Sequence, residues 1–466
     1  MKIEKQFLKG AKVKMPKAAK AVLYIIFWIF VVVAFSIAAI ILIFIASGYK
    51  YDIFSGQLQK TGMIYLKSEP RAVSVYLNDE LKAKKTPVRI PYLLPKTYHV
   101  KLTSNRYIDW EADVRVKAGE VSSFDRIVLF LKERKSQNLV KSATSFALSP
   151  NKNLVVYVNK SKDKLYLLDL SNDQTSQIYK SKGIIKITDW SANSQKILIN
   201  DSQNGAMVIN RGDVTKNIII NKITGKVFTE LSWNPINSNY LYGLAARRLY
   251  KIDLLKNQGK GLKSNVATFD VSHYNIFYVY SDKEKYKIRK TNFEGGSSEN
   301  IVSLNYPIKK LIISHNGRIA ILDNKNNLSL YRRTDGEYNL EKLYDRVSEA
   351  LWGKPSGIIE NIVGTEKLGY YTLNEIGGFF RKRDPRFKEE ENYLITRIND
   401  QIKKILWYSD FEHILYLSNN DVRVVELDGG NDTTLAENIR DFDILADGKE
   451  LIILESSGLK KVEIRK

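Results

Sequence analysis

One long uncharged run and a series of short alternating runs of apolar and polar residues divide this chain into two kinds of segment. Ala21 to Tyr49 contains no charged residue. A helix of about 20 apolar residues crosses a bilayer core. Since unpaired backbone amides are costly in lipid, the run predicts a transmembrane helix over 21–49. The alternative is a cleaved signal peptide, whose apolar run is normally only about 7–15 residues long.

The segment before this helix is strongly basic. Residues 1–20 contain seven lysines and one glutamate. The four lysines nearest the helix are Lys12, Lys14, Lys17 and Lys20. Positive charges beside a transmembrane helix stay on the cytoplasmic side, so they predict a cytoplasmic tail over 1–20. We therefore expect a single-pass protein of the cell membrane whose first partner is the lipid bilayer and whose C-terminal domains are extracytoplasmic.

Residues 61–133 alternate apolar and polar positions with a period of two. The strand-like runs are Met63 to Leu66, Val73 to Leu77, Tyr98 to Leu102, Val114 to Val116 and Ile127 to Leu129. Turn-forming residues such as Asn78-Asp79 separate them. This pattern predicts a small antiparallel β domain with one packed face.

The order of motifs in this segment resembles the PEGA domain, a β-sandwich-like module of bacterial and archaeal surface proteins. The matching stretches are Ser68 to Asp79, Thr86-Pro87, Pro95 to Val100 and Arg106 to Trp110. Four glycines of the family pattern are replaced, by Ala72, Asp79, Lys96 and Arg106. The resemblance implies an extracytoplasmic adhesion or scaffolding module that contacts wall or surface carbohydrate. It is equally compatible with a stiff spacer between membrane and head.

From about Thr144 onward a unit of short strands repeats with a period near 40 residues. The equivalent turn positions are Ser149, Ser191, Asn234, Ser272, Ser314, Gly353, Tyr408 and Ala446. Such a period with about four strands per unit predicts a β-propeller over 137–466. Eight copies favour eight blades, or seven if the copy around Trp352, with its second strand expected at 358–361, is not a blade. Gln137 to Val140 is the candidate strand that closes the ring.

The repeats resemble the Tol-type periplasmic and WD-repeat propellers. Ala446-Asp447-Gly448-Lys449 is the turn most similar to the former. The resemblance implies a fold and little about a ligand. The expected fold class is therefore all-β with one N-terminal transmembrane α-helix, a small β-sandwich-like module and an eight- (or seven-) bladed β-propeller.

The sequence contains few groups that could do chemistry. It has no cysteine, which excludes disulfides, thiolate metal sites and cysteine nucleophiles. His273 and His315 occupy the same turn in successive repeats, but two histidines without a third ligand are a weak metal signal. Neither a nucleophile elbow nor a phosphate-binding loop is present. We expect neither an enzyme nor a cofactor.

One spacing of 55 residues, between Gly353 and Tyr408, indicates an insertion at about 377–393. Long insertions in repeat scaffolds often bind a partner. The candidate contact residues are Phe379, Phe380, Arg381, Lys382, Arg383 and Arg386. The alternative is a solvated loop whose basic charges balance against the acids at 389–391. Arg211-Gly212-Asp213 is interpreted as an ordinary loop.

The net charge of +22 favours anionic partners. For a protein outside the membrane these are cell-wall polymers or surface carbohydrate rather than nucleic acid. We therefore expect a non-catalytic binding or scaffolding protein of the cell envelope. One alternative is a propeller hydrolase or lyase acting on envelope polysaccharide, which convergent carboxylates or histidines in the central channel would favour. Another is an envelope sensor or assembly factor with a protein partner.

Overall fold

The structure, a computed structural model, describes residues 17–53, 55–334, 337–353, 366–381 and 390–466. It contains two compact units. The first comprises the chain up to Ser104 together with Asp109–Leu129, and the second comprises Asn105–Ile108 and Phe130–Lys466.

Helix α1 (Lys17–Ala46) contains the predicted membrane segment. Ala21–Ala46 is long and apolar enough to span a bilayer, and none of it is buried by protein. The helix ends three residues before Tyr49 because Gly48 adopts a left-handed conformation (φ +80°), which glycine tolerates and which ends helices. Of the four orienting lysines, Lys17 and Lys20 begin the helix, while Lys12 and Lys14 lie outside the described residues.

A two-stranded hairpin that the sequence did not predict follows the helix directly. Its strands are β1 (Tyr49–Asp52) and β2 (Gln57–Lys60), and they form a sheet of their own. At its base the amide and the hydroxyl of Thr61 both donate to the carbonyl of Gly48, at 2.8 and 2.7 Å. These bonds tie the end of the helix to the start of the next domain.

The small β domain consists of two sheets. Its strands are β3 (Gly62–Glu69), β4 (Ser74–Leu77), β5 (Glu80–Ala83), β6 (Val88–Leu93), β7 (Thr97–Ser104), β8 (Tyr107–Arg115) and β9 (Val121–Val128). One sheet has the order β5-β4-β7-β8 and the other β6-β3-β9. The expectation of an antiparallel domain is wrong at one place, since the first and last strands, β3 and β9, pair in parallel. No hairpin connects them, so nothing forces them to run in opposite directions.

The structure explains one departure from the family pattern. Asn78 and Asp79, between β4 and β5, both have positive φ, of 48° and 64°. Two-residue hairpin turns require this conformation, and Asn and Asp adopt it more readily than other non-glycine residues. Asp79 can therefore stand where the family has glycine without changing the turn.

Eight four-stranded antiparallel sheets follow in the described part of the chain. Blades 1 to 4 are β11–β14 (Ala143–Leu148, Leu154–Asn159, Lys164–Asp169, Gln174–Lys180), β15–β18 (Ile185–Trp190, Lys196–Asp201, Gly205–Asn210, Ile218–Ile219), β19–β22 (Glu230–Trp233, Tyr240–Ala245, Arg248–Asp253, Gln258–Ser264) and β23–β26 (Val266–Val271, Ile276–Asp282, Lys285–Thr291, Glu299–Leu304). Helix α2 (Ile220–Thr224) follows β18.

Blades 5 to 8 continue the pattern. They are β27–β30 (Ile308–Ile313, Ile319–Asp323, Leu328–Thr334, Glu337–Tyr344), β31–β34 (Glu349–Gly353, Lys367–Tyr371, Glu375–Phe380, Glu391–Arg397), β35–β38 (Ile402–Trp407, His413–Ser418, Asp421–Glu426, Thr433–Ala436) and β39–β41 (Asp441–Ile444, Glu450–Glu455, Gly458–Glu463) with β10 (Ser136–Lys141). Strand β10 pairs with β41, which confirms the predicted closing strand.

The chain forms an eight-bladed β-propeller. The first strand of blade 1 contacts the strands of blade 8, so the ring closes. The copy around Trp352 is a complete blade, which removes the seven-bladed alternative. Its second strand is Lys367–Tyr371 rather than 358–361, a segment outside the described residues. In blade 8 the residue equivalent to Ser149 is Leu445 rather than the expected Ala446. The amide of Leu445 donates to the carbonyl of Glu450, as the amide of Ser149 donates to the carbonyl of Leu154.

Tryptophans at the ends of first strands join neighbouring blades. The indole nitrogens of Trp190, Trp352 and Trp407 donate to carbonyls in the first strand of the preceding blade, at 3.2, 3.0 and 3.4 Å. The apolar core lies between the sheets, as where Val156 and Leu165 of blade 1 pack with Ile197 of blade 2. The Trp-Ser turns of the sequence pattern are thus contacts between blades.

Candidate functional site

The first strand of each blade carries one position that faces its equivalent in the next blade. We call these eight residues the inner ring, four positions before each blade's first turn residue. They are Ser145, Ile187, Glu230, Thr268, Lys310, Glu349, Lys404 and Asp441. First strands of neighbouring blades contact one another, as around a propeller's central channel.

Three adjacent pairs of the inner ring are bonded to each other. Lys404 Nζ lies 2.7 Å from Asp441 Oδ1. The hydroxyl of Thr268 donates to Glu230 Oε2 at 3.1 Å. Lys310 Nζ lies 3.8 Å from a carboxylate oxygen of Glu349. The ring therefore mixes both signs of charge, and its charges are used to join blades.

Burial raises the pKa of three acids in or near the inner ring. Burial raises the pKa of Asp270 to about 6, although its carboxylate accepts the amides of Ile313 and Val271. Asp189 reaches solvent but is enclosed by protein on most sides, and this enclosure raises its pKa to about 6. Burial likewise raises the pKa of Glu230. Asp189 and Asp270 stand two positions before the turn residues of their blades, whereas Glu230 belongs to the inner ring, and all three stand on separate blades.

Both long connections of blade 6 begin and end at the same end of the propeller. In an antiparallel sheet, the turns joining strands one and two and strands three and four leave from the same edge. We call this end of the propeller the turn face. The β31–β32 connection leaves it after Gly353 and returns at Glu366, and the β33–β34 connection leaves it at Arg381 and returns at Glu390. The extra length expected from the 55-residue spacing is therefore divided between two connections.

Arg318, at the first turn of blade 5, holds the ends of both insertions. Its guanidinium forms two bonds to the carboxylate of Glu390, at 2.9 and 2.7 Å. It also donates to the backbone carbonyl of Glu366 at 3.0 Å. The guanidinium carbon lies 4.8 Å from the ring centre of Trp352. Bidentate and stacked arginines are among the stronger polar contacts in proteins, so the two insertion ends are fixed on blade 5.

The aromatic residues expected in the contact loop lie elsewhere. Phe379 and Phe380 belong to β33, with 1% and 3% of their surfaces exposed, and they pack in the core of the propeller. Arg332 lies over the ring of Phe379 and Lys367 over that of Phe380, at 5.2 and 5.4 Å. The expectation that they contact a partner is wrong, because the two consecutive rings point to opposite faces of β33 and pack in the cores on either side of blade 6.

The basic residues of the same insertion are placed only in part. Arg381 is exposed directly after β33. Lys382, Arg383 and Arg386 lie outside the described residues. Their role in contacting a partner therefore stays a prediction.

The two histidines of successive repeats meet on the turn face, as their spacing predicted. The rings of His273 and His315 have centroids 4.5 Å apart, and exposed Tyr274 contacts both. Across the described parts of the chain, no group of three or more His, Cys, Asp or Glu side chains could hold a metal ion. Arg211-Gly212-Asp213 forms a local turn in which Asp213 accepts the amide of Thr215.

Sequence reasoning missed a buried ionic cluster around His413. Its Nδ1 lies 2.7 Å from Asp410 Oδ2, and its Nε2 lies 3.6 Å from Glu426. Burial alone would lower the pKa of His413, but the two carboxylates outweigh it and raise the pKa to about 10. The rings of Phe130 and Tyr408 contact the imidazole edge-on. Phe130 is far from His413 in sequence, and only the fold brings the two together. No local sequence signal could therefore reveal this cluster.

Comparison with known proteins gives one family match and several distant structural similarities. The PEGA domain family matches residues 61–128. No curated protein sequence matches the chain. Similar solved structures include a eukaryotic initiation factor (11% identity, 70% of this chain and 89% of that one, TM-score 0.48), the Dos1 propeller (12%, 71% and 94%, 0.47) and the β-propeller domain of Cps50 (Swd1) from Myceliophteria thermophila (9%, 70% and 97%, 0.41).

Proposed function

Because this chain contains a PEGA domain and a β-propeller behind one apolar helix, we propose that it is a non-catalytic, membrane-anchored binding or scaffolding protein of the cell envelope. The observation that carries the proposal is Arg318, whose guanidinium bonds both Glu366 and Glu390, the described ends of two long connections of blade 6, on the turn face. Insertions on one face of a repeat scaffold are the usual means by which such proteins bind partners. The turn face is thus the proposed interaction platform.

The proposed orientation has the N-terminus in the cytoplasm and both β units outside. The apolar span Ala21–Ala46 supports an anchor. The seven lysines before it support cytoplasmic retention of that end. The protein then presents the propeller to the cell wall or its equivalent.

The proposed partner is an anionic wall polymer, with an envelope protein as the other outcome of a binding test. Subtracting the +6 of residues 1–20 from the total of +22 leaves +16 for the rest of the chain. A basic surface raises the local concentration of anionic polymers. Arg381 is exposed directly after β33 at the turn face, and the sequence continues with Lys382, Arg383, Arg386 and Lys388.

The inner ring supports binding rather than catalysis. An enzyme acting on polysaccharide needs carboxylates that converge on one substrate bond. Here the ring acids Glu349 and Asp441 pair with lysines, and Glu230 with a threonine, across blade boundaries. This mixed polar ring favours a structural use of the channel.

The test is retention of the full-length protein, in detergent micelles, on immobilised anionic wall polymer. We expect retention at low salt that weakens as ionic strength rises, since exposed charges are screened. The variant R381E/K382E/R383E should lose at least about tenfold in affinity, because reversing charges at an interface creates repulsion. No retention of the native protein on polymer or on envelope proteins would contradict the proposal.

A matched control carries the same change of charge on the opposite end of the propeller. Lys160, Lys182 and Lys325 are exposed residues in turns away from the turn face. The variant K160E/K182E/K325E should bind within about threefold of the native protein, the shift expected from net charge alone. Equal losses in both variants would show that the turn face is not the binding surface.

A further inference from the structure

The hairpin β1–β2 has one polar and one apolar face. Its register pairs Tyr49 with Lys60 and Tyr51 with Leu58, which puts these four side chains on one side. Lys50, Asp52, Gln57 and Gln59 lie on the other side. Ile53 follows β1 in the turn at the tip of the hairpin and is exposed.

The polar face approaches the PEGA domain at Asp52, while Lys50 and Gln57 on the same face are exposed. Ser55 donates to the carboxylate of Asp52 at 2.7 Å, and Gln59 donates to Ser55 at 3.2 Å. Burial raises the pKa of Tyr98 in the PEGA domain, and the nearby charge of Asp52 contributes to the shift. Asp52 therefore lies close to that domain.

The apolar face is uncovered. Tyr51, Ile53 and Leu58 expose 59%, 85% and 46% of their surfaces. The two strands join no other sheet in the described chain. A two-stranded hairpin on its own is at best marginally stable in water, so an uncovered apolar face on such a hairpin needs a surface to pack against.

The position of the hairpin identifies that surface. It begins three residues after the apolar helix ends, and the ring of Phe44 in the helix lies 5.7 Å from the ring of Tyr49. Thr61 ties its base back to Gly48 at the helix end. The hairpin cannot move away from the place where the helix leaves the bilayer.

We propose that the β1–β2 hairpin is an interfacial membrane contact, with Tyr51, Ile53 and Leu58 inserted among the lipid headgroups beside the helix. Tyrosines are favoured at this depth because their rings are apolar and their hydroxyls reach water. The contact holds the PEGA domain at a set height and orientation on the membrane. The inference rests on the proposed anchoring of α1.

The chain has no cysteine, so single cysteines report cleanly on lipid exposure. The full-length variants I53C and L58C are spin-labelled in bilayers of phosphatidylethanolamine and phosphatidylglycerol. Collision with oxygen, which concentrates in lipid, is compared with collision with a water-soluble nickel chelate. F35C, in the middle of the helix, reports insertion. Two variants serve as water-exposed controls. They are L81C, at an apolar site of the PEGA domain that is 44% exposed, and Q57C, on the polar face of the hairpin.

We expect the oxygen-to-nickel ratio of I53C and L58C to exceed that of L81C and Q57C several-fold and to stay below that of F35C, as fits a site among the headgroups rather than at the bilayer centre. If F35C is in lipid while I53C and L58C behave like L81C, the interfacial contact is wrong and the anchor stands. If F35C itself is water-exposed, the anchor is wrong and the inference falls with it.

Discussion

Charged residues between the blades and charged residues on the turn face are of the same types but have different roles. Between blades, the ammonium of Lys404 in blade 7 pairs with the carboxylate of Asp441 in blade 8. On the turn face, Arg318 pins two insertions, while Arg381 beside them is exposed. Whether a charged side chain in this fold stabilises the structure or stays available for binding therefore depends on its position in the repeat. Residue type alone does not determine it.

The largest effect is expected from removing an interior charge. The substitution His413→Ala leaves Asp410 and Glu426 buried without their cation, which should cost about 3–5 kcal/mol of unfolding free energy. The measurement is the urea midpoint of the full-length protein. His99→Ala, at a half-exposed ion pair, is the control and should change stability by less than about 1 kcal/mol. Equal effects would contradict the assigned role of the cluster.

Arg318→Ala should cost about 2–3 kcal/mol, since it removes a bidentate ion pair and a cation–π contact. It should also free both insertions, so limited proteolysis should cut within 354–365 and 382–389 faster than in the native protein. Arg318→Lys keeps the charge without the fork and should be intermediate. Unchanged cleavage at both insertions would show that Arg318 does not hold them.

The inner carboxyl Asp270 gives a pH dependence of known sign. Its pKa is about 6 in the folded protein against 3.8 as its reference value. The folded protein thus binds the proton more tightly, and stability should fall as pH rises from about 4 to 6, by about 1–3 kcal/mol. Asp270→Asn should flatten the curve over this window. A native curve that rises between pH 4 and 6, with no difference in the variant, would refute the assignment.

The smallest effect is expected in the inner ring. Lys404→Met removes a half-exposed pair with Asp441 and should cost about 1 kcal/mol or less. Lys403→Met is the neighbouring control, because Lys403 is exposed and its ammonium donates to the neutral amide oxygen of Asn420 at 2.7 Å. If Lys403→Met is the more destabilising variant, the ring pairs do not join the blades.

Repetition made most of the fold predictable. The alternation over 61–133 and the Ser or Trp turns at intervals near 40 are local patterns, and both correspond to sheets in the structure. The closing strand β10 could be predicted because a propeller whose last blade lacks a strand needs one from the other end. The eight copies of the repeated turn likewise predicted eight blades.

Long-range contacts were not predictable. Phe379 and Phe380 look like an apolar patch in a basic insertion, yet Ile376 and Gly377 place them within a strand that faces the core. The partners of Arg318 lie 48 and 72 residues away in sequence. The hairpin β1–β2 was not predicted because its strands are only four residues long and follow the helix directly. In each case packing decides what the local sequence leaves open.

Orientation across the membrane is the most direct test of the proposed function. Cysteines are placed singly at Ser456, in the exposed turn between β40 and β41, and at Gln6 in the basic tail. Intact cells are treated with a membrane-impermeant maleimide. We expect S456C to be labelled in intact cells and Q6C only after permeabilisation. Labelling of Q6C and protection of S456C in intact cells would place the propeller in the cytoplasm and contradict the envelope role.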